Sequence, residues 1–458
     1  MKSETNISQY DKMTKTPIWK LILKLSVPTI ISMLITNIYN LADTAFVGKL
    51  GNSASGAVGV VFGLMSVIQA IGFMFGQGSG SIISRLLGNK DNENSNSVAS
   101  SAFMYTMIFG ILLSIVCFIF IDPLMIALGS TETIFPYAKT YASFILAVTP
   151  FMTACFTLNN ILRYEGKAFL GMIAMLSGAI LNIFGDALLM FGFKMGIAGA
   201  GMSTAISQFI TFIILLSMFL RGKTQCVISV KYFGFSFKKL WNIVSTGFPS
   251  MLRQGLSTLT TILLNGCAGS YGDEAVAAIS IVNRISFFVL SIAIGIGQGF
   301  QPVSGFNYGA GKYSRVKKGF IFTALASEVV VGIAAVVLMI FSGNLIALFR
   351  DDPTVCEIGS RTLLLQSVAL FFLPLCCTTE MMYQSTGRKL GAAILSSLRG
   401  GVIFIPALLI LNSTRGLYGI EEAQPCAYIL AFFPTLFFLY SYLKSLPEDK
   451  DEETELKK

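Results

Sequence analysis

The stretch Gly76-Gln77-Gly78 in the first half of the chain recurs 221 residues later as Gly297-Gln298-Gly299. The same offset, without insertion, relates further pairs from the start to the middle of each half: Pro28 and Pro249, Gly51 and Gly272, Ala57 and Ala278, Gly88 and Gly309, and Gly166 and Gly387. The matched residues are Gly, Pro and Ala, which set backbone geometry and allow close helix contact. The sequence therefore predicts an internal duplication of one bundle architecture.

The composition indicates a membrane protein. Of the 458 residues, 54% are hydrophobic and 12% are charged, about half the charged fraction of a soluble domain. The mean hydropathy is +0.71, so a soluble fold would expose apolar surface almost everywhere. Segments of about 20 apolar residues can cross a bilayer as helices. Twelve are predicted, at 21–47, 54–83, 97–121, 137–162, 167–192, 196–220, 241–269, 275–303, 318–346, 361–386, 391–412 and 425–444.

The predicted fold is therefore an all-α integral membrane protein with twelve transmembrane helices, six in each half. Paired bundles of this kind are typical of secondary transporters. The predicted regions are an N-terminal tail, a first lobe, a linker, a second lobe and a C-terminal tail, at 1–16, 17–220, 221–240, 241–445 and 446–458. The linker mixes basic and aromatic residues, which suits an amphipathic segment at the inner membrane interface.

The net charge of +9 follows the positive-inside rule and does not indicate a nucleic-acid partner. When the N-terminus is placed inside, Lys and Arg concentrate in the tails and the inner connections. The outer connections hold only Lys49, Lys139, Lys194, Arg350, Arg361 and Arg415. The prediction is a multi-pass protein of the cell's inner (plasma) membrane with both termini in the cytoplasm.

Several classes of chemistry lack the residues they need. The chain has no histidine, which excludes His proton relays, His metal sites and Ser-His hydrolases. No Walker A or GxGxxG pattern occurs in a loop, so an ATP-driven pump is not indicated. Asp351-Asp352 has no further acids at metal-binding spacing, so a prenyl-transferring enzyme lacks support. We expect a protein that is not an enzyme and needs no cofactor.

Two carboxylates lie inside predicted spans, where ionisable groups mark ion or substrate sites. Asp43 is near the end of the first span and Asp186 is in the fifth. Asn182 lies four residues before Asp186, on the same helix face. The counterparts of the two acids in the second half are Leu264 and Ala407, so this chemistry belongs to the first half. The alternative is that Asp43 caps its helix and Asp186 only hydrogen-bonds a neighbour. The sixth span adds possible oxygen donors: Ser203, Thr204 and Gln208.

The second half carries intramembrane arginines, with one acid among them. These residues are Arg253, Arg284, Arg399 and Glu380. One interpretation is structural, with Glu380 paired to Arg399 across adjacent helices or lying at the inner mouth. The other is that the arginines line a cavity that binds an anionic lipid headgroup.

Four stretches of the chain resemble the multidrug and toxic compound extrusion (MATE) family, most closely its DinF-like branch, over about 15–445. They are NLADTAFVG at 40–48, RYEG at 163–166, AILNIFGD at 179–186 and GFNYGA at 305–310. The resemblance implies two pseudo-symmetric six-helix lobes that form a V around a central cavity. It also implies a cation site in the first lobe, formed by Asp43, Asn182, Asp186 and Thr204, with Tyr141 near it.

By the same resemblance, the protein is a monomeric antiporter that exports cationic amphipathic drugs in exchange for protons or sodium ions. If sodium is the exchanged ion, the resemblance implies that it binds at Asp43, Asn182, Asp186 and Thr204. NorM-like members place a site on an acid of the seventh helix, which this chain lacks; Asn265 is the nearest polar residue there.

The rival function is a flippase for a polyprenyl-linked or other anionic lipid, which the intramembrane arginines motivate. A channel or an intramembrane enzyme is a more distant alternative. The substrate-binding residues stay unassigned.

Overall fold

A computed structural model of the protein describes residues 8–449, and this range contains helices and no strand. The parts of the two predicted tails at 1–7 and 450–458 lie outside the described residues. The α-helices are α1 (Gln9–Lys15), α2 (Ile18–Gly48), α3 (Asn52–Gly88), α4 (Asn92–Ile119), α5 (Ile121–Ala127), α6 (Phe135–Tyr164), α7 (Ala168–Asp186), α8 (Ile197–Leu220), α9 (Phe237–Ala268), α10 (Asp273–Gly309), α11 (Tyr313–Ile340), α12 (Ser342–Phe349), α13 (Pro353–Leu370), α14 (Leu373–Ser385), α15 (Lys389–Ser397), α16 (Phe404–Arg415) and α17 (Leu417–Lys444). The prediction of an all-α protein is confirmed.

Each predicted span lies on one helix or on consecutive helices. The third, ninth, tenth and eleventh spans extend over α4–α5, α11–α12, α13–α14 and α15–α16. Among residues 8–449, ten helices are long and apolar enough to cross a membrane. The tenth predicted span is a broken pair, α13 and α14, bent by 50°. Pro374 lies in the first turn of α14 and has no N–H to donate to the preceding turn, which accounts for the break. The seventh predicted span, α9, has 32 residues and is long enough to cross, but is less apolar than the others. The protein is a multi-pass membrane protein.

The chain divides into two compact units. The N-unit is Ile31–Met251, and the C-unit consists of the chain up to Ile30 together with the chain from Leu252 onward. Two helices therefore contribute to both units, since α2 changes unit after Ile30 and α9 changes unit after Met251. Each change lies two residues after a proline inside the helix, Pro28 in α2 and Pro249 in α9.

In the N-unit, the Gly-Gln-Gly run of α3 permits two close helix approaches. A Cβ at Gly76 would lie 2.9 Å from Asn160 of α6. A Cβ at Gly78 would collide with the backbone of α9 at Ile243 and Gly247. Gln77, between the two glycines, accepts a 2.8 Å hydrogen bond at Oε1 from Ser250 Oγ. The run thus fixes α3 against both α6 and the first part of α9.

In the C-unit, the repeated run on α10 makes the equivalent contacts. A Cβ at Gly297 would collide with the Met381 sulfur of α14, and one at Gly299 would collide with Ser26 of α2. Ser26 and Gly247 are themselves related by the 221-residue offset. Each unit therefore packs its Gly-Gln-Gly run against the first part of a proline-containing helix.

Helix α6 is the centre of the N-unit. It packs against α3, α4 and α8, and 72% of its most apolar window is buried, the largest share among the candidate spans of the described chain. Its side chains join those of α3 in one apolar core that includes Val61, Ile68, Ile145 and Met152. A side chain on α6 is therefore held by packing on several sides.

Candidate functional site

The five residues predicted as the cation site come together inside the N-unit. Asp43 lies in the last third of α2, Tyr141 in α6, and Thr204 in α8. Asn182 and Asp186 are one turn apart on α7. All five side chains are buried, and Asp43 is the most exposed of them at 7%. Four helices thus supply one buried polar cluster to the interior of a membrane protein.

Two hydrogen bonds organise the cluster. The Tyr141 hydroxyl donates to Asp43 Oδ2 at 3.1 Å. The Asn182 amide donates from Nδ2 to Thr204 Oγ1 at 3.2 Å. The Tyr141 hydroxyl also lies within interaction range of Thr204 and of the Asp186 carboxylate. Tyr141 therefore connects the α2 acid with the residues of α7 and α8.

Four buried oxygen atoms in this cluster have no hydrogen-bond partner among residues 8–449. They are Asp43 Oδ1, Asn182 Oδ1 and both carboxylate oxygens of Asp186. The nearby Ser203 hydroxyl does not satisfy them, because it donates to the Asn182 backbone carbonyl at 2.9 Å. Leaving a buried acceptor unpaired costs about 1–3 kcal/mol, and more for a charged group. A set of acceptors without donors is the arrangement that a proton or a hard cation would complete.

The backbone around Asp186 lets α7 and α8 approach closely. A Cβ at Gly185 would lie 2.5 Å from Ser203 Oγ, so a larger residue there would displace the Ser203 hydroxyl. Immediately after Asp186 the helix continues as a π-helical segment, Ala187–Gly192. Segments of this type shift the register of the following side chains and occur often at functional sites.

A small polar cleft opens beside the cluster, between α2, α7 and α8. Its polar lining residues are Tyr39, Asn182, Thr204, Ser207, Gln208 and Thr211. Sequence reasoning missed Tyr39, which precedes Asp43 by four residues and lies near its carboxylate. That spacing on one helix was the available signal. The cleft places Asn182 and Thr204 between the buried acids and an opening.

The alternative role of Asp43 as a helix cap does not fit its surroundings. Asp43 lies inside α2, five residues before the helix ends at Gly48. A carboxylate near a helix C-terminus is unfavourable in the helix dipole. Its carboxylate instead accepts a hydrogen bond from Tyr141 on another helix.

The structural interpretation in which Glu380 pairs with Arg399 is wrong. Glu380 accepts a 2.5 Å ion-pair contact from Arg253 and a 2.8 Å hydrogen bond from Ser396. Arg399 instead donates to Cys377 Sγ at 2.8 Å and lies 5.7 Å from the Tyr428 ring centroid. Cys377 is one turn from Glu380 on α14, so Arg399 meets the neighbouring position on the same helix.

Arg284 differs from these two arginines. It lies in α10, its side chain is exposed, and it makes no hydrogen bond or ion pair within the described chain. Of the three arginines that motivated an anionic-lipid function, two are engaged by protein groups.

No group of three or more His, Cys, Asp or Glu side chains that could hold a metal ion occurs within residues 8–449. The five residues of the N-unit cluster offer two carboxylates, one amide and two hydroxyls. This set is composed of oxygen ligands, which suit a proton or a weakly held alkali ion better than a transition metal.

Comparisons with known proteins agree with this architecture. The MatE family matches residues 28–188 and 249–410. The multidrug export protein MepA of Staphylococcus haemolyticus is 29% identical over 437 residues, covering 95% of this chain and 96% of that protein. MepA of Staphylococcus aureus is 27% identical over 439 residues, covering 96% and 97%.

Solved structures match over nearly the whole chain. An outward-facing multidrug resistance MATE family transporter of the MOP superfamily superposes with a TM-score of 0.91 at 25% identity, covering 97% of this chain and all of the other. A MATE protein in the straight conformation gives a TM-score of 0.89 at 26% identity, covering 95% and 98%. The two family matches together span most of the chain and repeat at the 221-residue offset found in the sequence. The chain belongs to the MatE family, whose members are membrane transporters and not enzymes.

Proposed function

We propose that this protein is a secondary active antiporter that exports cationic amphipathic small molecules in exchange for protons or sodium ions. The observation that carries the proposal is the set of four unpartnered buried oxygens on Asp43, Asn182 and Asp186. The curated relatives reported above are named multidrug export proteins, which supports small organic molecules as substrates.

The incoming cation binds at the buried acids. A proton adds to Asp43 or Asp186; a sodium ion is held by their carboxylates with the oxygens of Asn182 and Thr204. Tyr141 orients Asp43 by donating to Oδ2, so that Oδ1 stays available to the cation. Binding neutralises charge that is costly to keep inside the membrane.

Coupling requires that the cation binds one conformation more tightly than the other. The N-unit cluster then favours the conformation that releases the drug outside, and the return of the cation to the inner side resets the protein. At about −100 mV, each positive charge that moves inward supplies roughly 2.3 kcal/mol. A singly charged drug that leaves cancels one inward charge, so the membrane potential contributes only when two monovalent cations enter for each such drug. The net charge of one per cycle then supports a concentration ratio of roughly fifty.

We further propose a monomer in the plasma membrane with both termini cytoplasmic, with no cofactor beyond the ion gradient and no nucleic-acid partner. The two sequence halves at 17–220 and 241–445 act as the lobes, and 221–240 is the cytoplasmic linker. The concentration of Lys and Arg in one set of connections supports this orientation.

The test uses purified protein in liposomes with a fluorescent cationic dye. Gradient-driven dye movement is measured under a pH gradient and then under a sodium gradient, for the wild type, Asp43→Asn and Asp186→Asn. We expect each variant to lose coupled movement, because the amide cannot take up a proton and binds a cation more weakly than a carboxylate. The gradient that drives the wild type identifies the ion.

The matched control is Asp122→Asn in the same unit, where the exposed Asp122 pairs with Lys139 at 2.6 Å. It should transport as the wild type does. Wild-type rates from Asp43→Asn and Asp186→Asn, with folded protein in equal amounts, would contradict the proposed site.

The anionic-lipid flippase remains a second candidate because Arg284 is exposed and unpartnered within the described residues. It makes the opposite prediction to the antiporter. Lipid translocation would be lost in Arg284→Gln, and the two aspartate variants would have little effect.

A further inference from the structure

The connection between α8 and α9 is a fixed strap on the N-unit. We call residues 221–241 the linker strap. Its inward side chains Cys226 and Ile228 are buried. The Val227 N–H donates to Asn96 Oδ1 at 2.8 Å, and the Ser229 N–H donates to Ser100 Oγ at 3.1 Å. These two hydrogen bonds therefore hold the backbone of the strap against helix α4.

Glu165, just after the end of α6, holds the start of the strap. Its carboxylate accepts the N–H of Gln225 at 2.8 Å and the N–H of Cys226 at 3.0 Å. Burial raises the pKa of the Glu165 carboxyl, and the two backbone N–H groups oppose that rise. At the other end, the Tyr105 hydroxyl of α4 accepts the Ser236 N–H at 3.0 Å and donates to the Ser236 carbonyl. Hydrogen bonds to Glu165 and Tyr105 thus hold the strap near both of its ends.

The outward side of the strap exposes large apolar side chains. Val230 is 70% exposed, Phe235 and Phe237 are each 72% exposed, and Trp241 is 63% exposed. Because the backbone is tied to α4 and Glu165, these side chains cannot turn inward without breaking those hydrogen bonds. An exposed apolar patch of this kind indicates that another molecule or the membrane covers it in the functioning protein.

The same surface is strongly basic. The strap contains five basic residues and no acidic one. The side chains of Arg221, Lys223, Lys231 and Lys238 are exposed and make no hydrogen bond or ion pair within the described chain. Lys239 differs, since it donates to Ser97 Oγ at 2.7 Å. Exposed aromatic residues among unpaired cations are the features that a surface rich in anionic lipid binds.

We propose that the linker strap is a binding surface for the anionic phospholipid headgroups of the adjacent membrane leaflet. Two observations on position support a lipid over a soluble partner. The strap begins directly after Leu220, the last residue of the membrane-spanning α8 and itself 68% exposed. It ends within the first turns of α9. The apolar side chains insert among the acyl chains and the cations meet the phosphates.

This surface also adjoins the helix that carries Tyr141. Helix α6 runs without interruption from Phe135 to Tyr164, and the strap is held by the residue that follows it. Lipid bound at the strap would therefore act on the end of the helix that orients Asp43.

The protein supplies its own reporter, because it contains two tryptophans, Trp19 and Trp241. A Trp19→Phe protein leaves Trp241 as the single fluorophore. It is reconstituted in mixed phosphatidylcholine and phosphatidylglycerol vesicles, with brominated acyl chains on one lipid or on the other at equal mole fraction. We expect brominated phosphatidylglycerol to quench Trp241 about twofold more than brominated phosphatidylcholine, because the cations enrich the anionic lipid locally.

The decisive variant adds Lys223→Gln, Lys231→Gln and Lys238→Gln to this protein and should abolish the difference between the two lipids. The matched control removes three exposed lysines elsewhere, Lys317→Gln, Lys318→Gln and Lys444→Gln, and should keep it. Equal quenching by both lipids in the unmodified strap would overturn the proposal. Quenching by aqueous iodide with none by either brominated lipid would also overturn it, since the strap would then face water. Neither readout depends on transport.

Discussion

At the scale of single residues, Tyr141 determines what Asp43 can do. A phenol donates one hydrogen bond to Oδ2 without contributing a charge, so the carboxylate keeps its negative charge and remains able to attract a cation. A lysine or arginine in its place would neutralise the acid and occupy the site. The central position of α6 holds the hydroxyl in place, because Tyr141 is fully buried.

Tyr141→Phe should therefore change the affinity of the cation site without dismantling the fold. The hydrogen bond from Tyr141 stabilises the charged, empty form of Asp43, and a bond of this kind to a charged group is worth about 1.5–3 kcal/mol. Because its loss makes neutralisation of Asp43 easier, we expect the cation concentration for half-maximal dye export to fall at least about tenfold. The measurement is the initial export rate from proteoliposomes as the driving cation is varied.

Tyr137→Phe is the control, one turn earlier on α6 and 42% exposed. It should leave that concentration unchanged. If both variants behave like the wild type, Tyr141 is a packing residue and the proposed role for its hydroxyl is wrong.

The acids of the candidate site are easier to predict from the sequence than the residues that surround them. Asp43 and Asp186 stand out because ionisable groups are rare in apolar spans, and Asn182 follows from helical spacing. Tyr39 does not stand out, since tyrosine is common in such helices. The incorrect pairing of Glu380 with Arg399 has the same origin. Helical spacing determines which face of α14 carries Glu380, but it does not determine whether Arg253 or Arg399 lies opposite that face.

At the scale of helices, the Gly-Gln-Gly runs set the distance between neighbours. On α3, Gly78 faces the backbone of α9, and backbone atoms cannot rotate away as a side chain can. Gly59 on the same helix has no atom near its missing Cβ. The same Gly→Ala change at these two positions therefore distinguishes the cost of close packing, which applies at Gly78, from the gain in helix propensity, which applies at both.

Gly78→Ala should destabilise the protein by about 1–3 kcal/mol, the typical cost of overpacking. Gly59→Ala should be neutral or stabilising by up to about 1 kcal/mol, because alanine is the better helix former. The measurement is the melting temperature of each purified variant in the same detergent. A melting temperature for Gly78→Ala at or above that of Gly59→Ala would contradict the close approach of α3 and α9.

The sequence predicted the positions of the helices but not their irregularities. Apolar length predicts a span because a helix must cross about 30 Å of hydrocarbon. Pro374 was the local signal for the bend between α13 and α14. The π-helical segment after Asp186 has no comparable signal, because it depends on contacts with other helices that the pattern along one segment does not contain.

At the scale of the whole molecule, the compact units do not coincide with contiguous pieces of chain. The C-unit takes in the first part of α2, while the N-unit takes in the linker strap and the first part of α9. The internal duplication predicts two related halves, and it is visible because one offset relates glycines and prolines throughout. Which part of a shared helix packs into which unit depends on long-range contacts such as that of Gly299 with Ser26, and these have no local signature.

Two fragments of nearly equal length should consequently differ in stability. Fragment 31–251 holds the whole N-unit, whereas fragment 1–220 lacks its linker strap and carries the first part of α2 without α10. We expect 31–251 to resist limited proteolysis in detergent longer than 1–220. Fragment 1–220 should be protected when it is expressed together with 221–458. Equal resistance of the two isolated fragments would contradict this division of the chain.

The contact of α2 with α10 has a consequence for the order of events on the ribosome. Residues 18–30 emerge early, yet α10 ends at Gly309, so their packing partner is completed only after nearly the whole first half and part of the second have been translated. At roughly 5–20 residues per second, this interval is on the order of 15–60 s. Throughout that time the newly inserted segment lacks its native neighbour, and the bilayer and the insertion machinery must hold it until the late helix arrives.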